Sequence, residues 1–401
     1  MAGSPTDAGD ARARRLTRNI YVVSLVSFFQ DTASEMLYPI LPFFVTGILG
    51  APPAVLGAIE GVADGTASAM KLASGRLADL RRRRPLIATG YGISAFGKAI
   101  LALAGAWPVV LAARFTDRVG KGLRGPPRDA LIADDTTPAN RGRAFGFHRA
   151  ADTAGAVVGP LVGLALYELV GQELRSLLWI AVIPSVLSVA LVFLIREPSH
   201  PRPQRVRSWS TADLPPAYWR VIALTGLFAL VNFPDTLLLL RAKSLGFGFA
   251  GVVAVYVLYN LAYAALAYPA GALSDRRSRQ AVFAVGLAVF SGAYLGFGLT
   301  SRAAWLWVLF PVYGAYTALT DGISRAWIAD LVPADQRGTA LGIHAAVSGV
   351  GLLVAGIWAG LAWHGTGHVP FVISGLVTAA LATILFVAKG SRFGEPSQAS
   401  T

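Results

Sequence analysis

The 401-residue chain has no cysteine, which excludes disulfides and thiolate metal sites. Charged residues are scarce at 14%, where an ordinary soluble domain carries about 25%. A phosphate-cradling loop is missing too: "GKG" at 120–122 lacks the Gly-x4-Gly-Lys-Ser/Thr pattern, which argues against ATP drive. No nucleophile, metal cluster or cofactor loop stands out, so neither an enzyme nor a bound cofactor is expected. His364 and His368 stand four apart, but intervening glycines and an outer-loop location speak against a metal site.

What is abundant is apolar sequence: 54% of residues are hydrophobic, in runs of about 20 that match a bilayer core of about 30 Å. The reading is an all-α membrane protein with about twelve transmembrane helices, over approximately 19–46, 54–74, 85–106, 107–123, 143–170, 176–195, 219–242, 249–271, 280–300, 302–322, 338–363 and 368–389. The net charge of +13 sits in short stretches between these runs, not on one soluble face, so it reports topology and not nucleic acid. Arg12–Arg18, Arg81–Arg84, the stretch Arg118–Arg143, Arg202–Arg207, Arg276–Arg279, Arg325 with Arg337, and Lys389 with Arg392 all fall in alternate loops. Lysine and arginine mark the cytoplasmic side, so both termini are expected there.

The expected organisation is a tail at 1–18, a six-helix half at 19–196, a linker at 197–218 rich in Pro, Arg and Ser, a second six-helix half at 219–389 and a tail at 390–401. The halves repeat. "GRLADLRRR" at 75–83 matches "GALSDRRSR" at 271–279, and "ALIADDTTPANRGRAFGFHRA" at 130–150 matches "AWIADLVPADQRGTALGIHAA" at 326–346, both at an offset of 196 residues. This pairs Asp134 with Asp330 and His148 with His344.

Acids inside the apolar runs are the main functional signal. Asp31 and Glu35 are four apart, as are Glu60 and Asp64, so each pair lies on one helix face, and the first two helices are expected to be neighbours. Four carboxyls near one surface cannot all stay ionised cheaply, so at least one can exchange a proton. The competing reading is a static network with Lys71, Lys98 and Arg114 as partners. In the second half, Asn232 and Asp235 accompany Tyr256, Tyr259, Asn260 and Tyr263, of which Tyr256, Asn260 and Tyr263 share a face. An aromatic and amide face suits an organic molecule better than a bare ion, although tyrosine also serves packing and membrane interfaces. His148 with Asp152 reads either as a relay or as a structural feature of the repeat.

These residues carry a resemblance. A parallel six-plus-six repeat with "GRLADLRRRR" and its copy "GALSDRRSR" resembles the major facilitator superfamily, whose loop motif joins helices 2 and 3 and recurs between helices 8 and 9. "DTASEMLYPILP" and "DRVGKGLRGPPRDALIAD" are similar to a poorly characterised prokaryotic branch of it. The resemblance implies a monomeric carrier in the plasma (inner) membrane that works by alternating access on a small-molecule substrate. Arg114 in "LAARFTDRVGKG" resembles the family's helix 4 arginine, with Arg118 where a glycine is usual. "GAVVGPLVG" (Gly155, Gly159, Pro160, Gly163) resembles the helix 5 motif of exporters that exchange substrate for protons, with Leu164 in place of a final glycine.

From residues and resemblance together, Gly75, Asp79, Arg83 and Asp275 are expected to form conformational latches, with Gly75 letting the chain leave helix 2 tightly. The three helix 5 glycines are expected to close a gate by tight packing. Asp31 is the first choice for coupling to the proton gradient, the expected energy source. Efflux is the leading reading. Proton-coupled uptake and a non-transporting sensor or scaffold are the alternatives.

Overall fold

The computed structural model describes residues 16–80, 82–136, 141–196, 214–333 and 336–387, and these form helices without a strand. They are α1 (Arg18–Leu37), α2 (Pro53–Leu80), α3 (Arg83–Ala102), α4 (Trp107–Asp134) and α5 (Arg141–Leu169). Next come α6, in two pieces (Leu174–Ile180 and Val182–Val192), and α7, split into α7a (Pro216–Ala229) and α7b (Asp235–Ser244). The rest are α8 (Phe249–Arg276), α9 (Arg279–Leu299), α10 (Leu306–Leu331), α11 (Arg337–Leu361) and α12 (His368–Val387). The expected all-α architecture of two six-helix pseudo-repeats is what the chain forms. Residues 1–15 of the first tail, the whole 390–401 tail and most of the 197–218 linker lie outside the described residues.

Among the described residues, eight helices are long and apolar enough to cross a membrane on composition alone. The four spans outside that set are informative: α1, α2 and α4 carry acids within the run, and α7 is broken. The breaks have a common cause. A proline removes an N–H and clashes with the carbonyl four residues before it. Pro234 faces Leu230 in this way, and α7a ends at Ala229; Pro184 faces Ile180, the last residue of the first piece of α6. Pro39 and Pro42 likewise follow the end of α1, where the chain tightens into a 3-10 turn (Tyr38–Ile40) and then widens into a π-helix (Phe43–Ile48). The single helix expected over 19–46 is therefore three segments. Conversely, "GPP" at 125–127 does not stop α4, which runs through Pro126 and Pro127 to Asp134.

The repeat is visible in packing. α1 packs along α5 and α3 along α4 and α6; six helices later α7a packs on α11, and α9 on α10 and α12. Ile20, Val23 and Val26 of α1 share a buried apolar cluster with Ile87 and Tyr91 of α3, Leu131 and Ile132 of α4, Ala144 of α5 and Val192 of α6. Contact divides the chain into two compact units, Met1–Tyr38 with Ala69–Arg205, and Pro39–Ser68 with Val206–Thr401. The first part of α2 thus belongs to the second unit, where Gly57 and Gly61 lie against the backbone of Gly356 and Leu353 of α11.

Small residues permit these close approaches, as expected where lipid supplies no hydrophobic drive between helices. A Cβ on Gly155 would stand 2.7 Å from the Phe28 carbonyl oxygen, and one on Gly159 2.6 Å from that of Thr32, so α5 lies directly on the backbone of α1. The second repeat places Gly351 of α11 against Ala229 of α7a, at the position 196 residues beyond Gly155. Gly159→Val should lower the thermal unfolding temperature of the detergent-solubilised protein by several degrees, since overpacking costs about 1–3 kcal/mol even where side chains can yield. Gly92→Ala, with open space around its Cβ, should be neutral or slightly stabilising.

Candidate functional site

Each repeat holds a polar cluster, and the two differ in chemistry. In the first unit the cluster is built on α4, where Arg114, Asp117, Lys121, Arg124 and Arg128 recur at helical spacing and share one face. Gly97 and Gly120 bring α3 close enough to meet it: a Cβ on Gly97 would lie 2.7 Å from the Asp117 nitrogen, and one on Gly120 2.4 Å from the Gly90 oxygen. Lys98 of α3 then donates to Asp117 Oδ1 at 3.0 Å with both side chains buried. Arg118 Nη1 stands 3.4 Å and Arg114 Nη1 3.9 Å from Asp117 Oδ2. Asp117 is a carboxylate shared by three cations.

The next turns of α4 continue the network. Arg124 donates to Ser94 Oγ at 2.5 Å and lies over the ring of Tyr91, 4.5 Å from its centroid. Arg128 donates to Ser27 Oγ of α1 at 3.0 Å, and Ser27 Oγ meets the Tyr91 hydroxyl at 3.1 Å. Asp152 of α5 lies 4.0 Å from Arg128 Nη1 and 3.7 Å from His148 Nε2. Asp31 sits in the field of Asp152, Lys121, Arg124 and Arg128.

The second unit replaces charge by aromatic rings. α7 unwinds between its two pieces, and Asn232 and Asp235 occupy the gap and the first residue of α7b. Tyr313 of α10 donates its hydroxyl to Asp235 Oδ1 at 2.6 Å, and Asn232 Nδ2 donates to the Tyr316 hydroxyl at 3.0 Å. Gly314 makes room for α8: a Cβ there would lie 2.5 Å from the Tyr259 oxygen. Tyr259 and Tyr313 accordingly have ring centroids 5.2 Å apart, Phe290 and Tyr294 stack at 3.8 Å, and Phe290 meets Tyr316 at 4.7 Å.

The residues expected from the sequence are distributed as follows. Asp31 and Glu35 stand one turn apart on α1, both half-buried, in the first unit; Glu60, fully buried, and Asp64 belong to the second. Lys98 and Arg114, read as partners for the acids of the first two helices, are both gathered on Asp117. The aromatic face splits: Tyr259 joins the Asp235 cluster, Tyr256 packs on Tyr259 at 5.9 Å, and Tyr263 reaches Asp321 at 3.5 Å. Asn260 turns its amide nitrogen back to the Tyr256 carbonyl at 2.9 Å.

The latch residues divide in the same way. Arg83 pairs with Asp134 and donates to the Ala130 carbonyl at 2.8 Å; Arg279 pairs with Asp330. These two clamps stand 196 residues apart in both members. The side chains of Asp79 and Asp275 lie outside the described residues. The tight exit expected at Gly75 is absent, because α2 continues to Leu80: "RLADL" is a run of good helix formers save Asp79, and one glycine costs about 1 kcal/mol against it. The sequence reading passed over Asp117, Tyr294, Tyr313 and Tyr316, and took Arg124 and Arg128 for loop cations. Their spacing on a continued α4 was the available signal, as was the offset of 196, which sets Tyr313 opposite Asp117 and Tyr294 opposite Lys98.

Comparison with known proteins agrees with this architecture. The sequence model described as Major Facilitator Superfamily matches residues 23–258 and 236–400. An uncharacterized MFS-type transporter of Methanocaldococcus jannaschii is 30% identical over 379 residues, covering 91% of this chain and 95% of the relative. The multidrug resistance protein MdtH of Photorhabdus laumondii is 25% identical over 356 residues, covering 85% and 87%. Among solved structures, a peptide transporter, POT, in complex with alafosfalin superposes with a TM-score of 0.81 at 12% identity, covering 98% of this chain and 99% of that one.

The shared carboxylate makes an asymmetric prediction. Removing one partner of a buried ion pair costs about 3–5 kcal/mol. Asp117→Asn, which leaves three cations without their common anion, should destabilise the purified protein more than Lys98→Met, which leaves Asp117 two arginines. Thermal unfolding of the two variants in detergent tests the order, and equal losses would contradict it.

Proposed function

Because this chain belongs to the Major Facilitator Superfamily, and is a multi-pass membrane transporter, we propose that it works by alternating access and exports a small organic compound in exchange for protons. The observation that carries this reading is Asp31 among Lys121, Arg124, Arg128 and Asp152. Adding a proton to Asp31 removes one of the negative charges near those cations, leaving Asp152 and Asp129 on Arg128, and changes which arrangement of α1, α4 and α5 is favoured. A ligand-driven or proton-driven shift needs that kind of difference in interaction between two states. The acids expected to follow it are Glu35, Glu60 and Asp64, with Arg114 holding Asp117 in place.

Further support comes from the close packing of Gly155, Gly159 and Gly163 on α1, a seam that can seal or open without rebuilding a core. The Arg83–Asp134 and Arg279–Asp330 clamps supply matched contacts at the ends of α4 and α10. The direction is suggested by the relatives named for multidrug resistance. In this reading the protein acts as a monomer in the inner membrane of a prokaryote, with both termini cytoplasmic and the proton gradient as its energy source.

The test is flux in proteoliposomes under an imposed pH gradient. Asp31→Asn should abolish pH-driven transport while the protein still folds and inserts, and a proton uncoupler should abolish transport by the unmodified protein. Undiminished flux in the Asp31→Asn variant would remove Asp31 from the coupling step.

A further inference from the structure

We infer that His148 and Asp152 form a second proton-binding site in the first unit, one that Arg128 occupies in place of the proton. This rests on the transport reading above and extends it from Asp31 to a partner site. The two side chains stand one turn apart on α5, 4% and 13% exposed, with His148 Nε2 3.7 Å from Asp152 Oδ1. That is too long for a hydrogen bond, and neither atom has a hydrogen-bond partner among the described residues. On its other nitrogen the ring meets Ser24 Oγ of α1, 3.5 Å from Nδ1. With Nδ1 donating to that hydroxyl, Nε2 presents a lone pair to the carboxylate, and two acceptors face each other across the gap. One proton placed there satisfies both. Arg128 of α4 approaches the same oxygen, with Nη1 at 4.0 Å, while it donates to Ser27 and pairs with Asp129. An imidazolium and a guanidinium beside one carboxylate repel each other, so a proton arriving at Nε2 takes Asp152 from Arg128. The proton adds to Nε2 and leaves from it again, and no other bond changes.

Asp31 is placed to feel this exchange. A Cβ on Gly155 would lie 3.1 Å from the Asp31 Cβ, so the Asp31 side chain leaves α1 against α5 within a turn of Asp152. Asp152 is among the charges that act on it, and carboxyls that interact in this way titrate as a coupled pair. From α4, Lys121 and Arg124 act on Asp31, while Arg128 and Asp129 act on the His148 ring, as does Arg149 of α5. α6 brings Arg175, which donates to the Ala104 carbonyl. The aspartates favour a charged ring and the arginines oppose it.

The second repeat isolates what is structural. His344 of α11 meets the Thr225 hydroxyl at 3.4 Å, as His148 meets Ser24, so the contact between histidine and hydroxyl belongs to the frame of both halves. Ser24 thus matches Thr225, and in that register Asn232 matches Asp31; the offset of 196 residues sets Ser348 opposite Asp152 and Ser324 opposite Arg128. Each of these three charged groups has a neutral amide or hydroxyl in its place. A packing role accounts for both histidines, but it does not account for two acids and an arginine gathered around one of them.

The probe is the proton itself, followed by NMR of the full-length protein in nanodiscs with isotope-labelled histidine. The chain has five histidines, and His148→Gln and His344→Gln assign the two ring signals that matter. Arg128→Gln leaves Asp152 to the ring and should raise the proton affinity of His148 about 10-fold or more, one pH unit in its midpoint. Adding Asp152→Asn to that variant should cancel the gain, and adding Asp31→Asn should reduce it. His344 should titrate alike in all of these proteins. A His148 midpoint unmoved by Arg128→Gln, a gain that survives Asp152→Asn, or a His344 shift of equal size would overturn the proposal. Should Arg128→Gln fail to fold, Asp152→Glu, whose longer side chain closes the gap to Nε2, should raise the midpoint in its place, and no rise would count equally against the site. The titration needs neither gradient nor cargo, so the outcomes separate. A His148 that titrates as described in a protein without uncoupler-sensitive flux keeps the site and sinks the proton coupling. Uncoupler-sensitive flux with a ring indifferent to Asp152 and Arg128 sinks the site only.

Discussion

Lipid cannot solvate a charge, and the arrangement of this protein follows from that constraint. An ion inside the bilayer must find its compensation on a neighbouring helix, so helices that carry charge must approach closely enough for short side-chain contacts. Gly97 and Gly120 let α3 and α4 approach to that degree, and Lys98 meets Asp117 at 3.0 Å as a result. The charge and the glycines belong to one solution. Without the small residues the ions would be stranded, and without the ions the glycine seam would be only a packing face.

The two repeats answer the constraint differently. The first compensates charge with charge, along a face of α4 that reaches from Arg114 to Arg128. The second uses hydroxyls and rings, with Asp235 held by Tyr313 and bordered by Tyr259 and Tyr316. The repeat of the halves persists in the Arg–Asp clamps and in the helix pairs that pack, while the residues of the two polar clusters differ.

Particular residues show how far the sequence was legible. Hydropathy and the loop cations were sufficient for the number of spans, because span length is set by bilayer thickness and not by neighbours. The helix 5 glycines were readable from spacing alone, since three residues four apart must share a face whatever they touch. Arg124 and Arg128 were misread as loop residues because two successive prolines imitate a helix end; in a bundle, neighbouring helices keep α4 continuous through them. The break in α7 was marked by Pro234, yet that proline is no different in sequence from Pro269 or Pro311, which α8 and α10 absorb.

Sequence by itself determined the helical class, the duplication at an offset of 196 residues and the presence of acids within apolar runs. These are properties of composition and period, and they hold before any helix meets another. Only tertiary structure decided that Lys98 and Arg114 converge on Asp117, that Asp31 lies among α4 cations, and that tyrosines from α8, α9 and α10 surround Asp235. Partnership between side chains depends on the rotation and closeness of helices far apart in the chain. No local pattern encodes that geometry, because it is settled by the packing of all the faces at once.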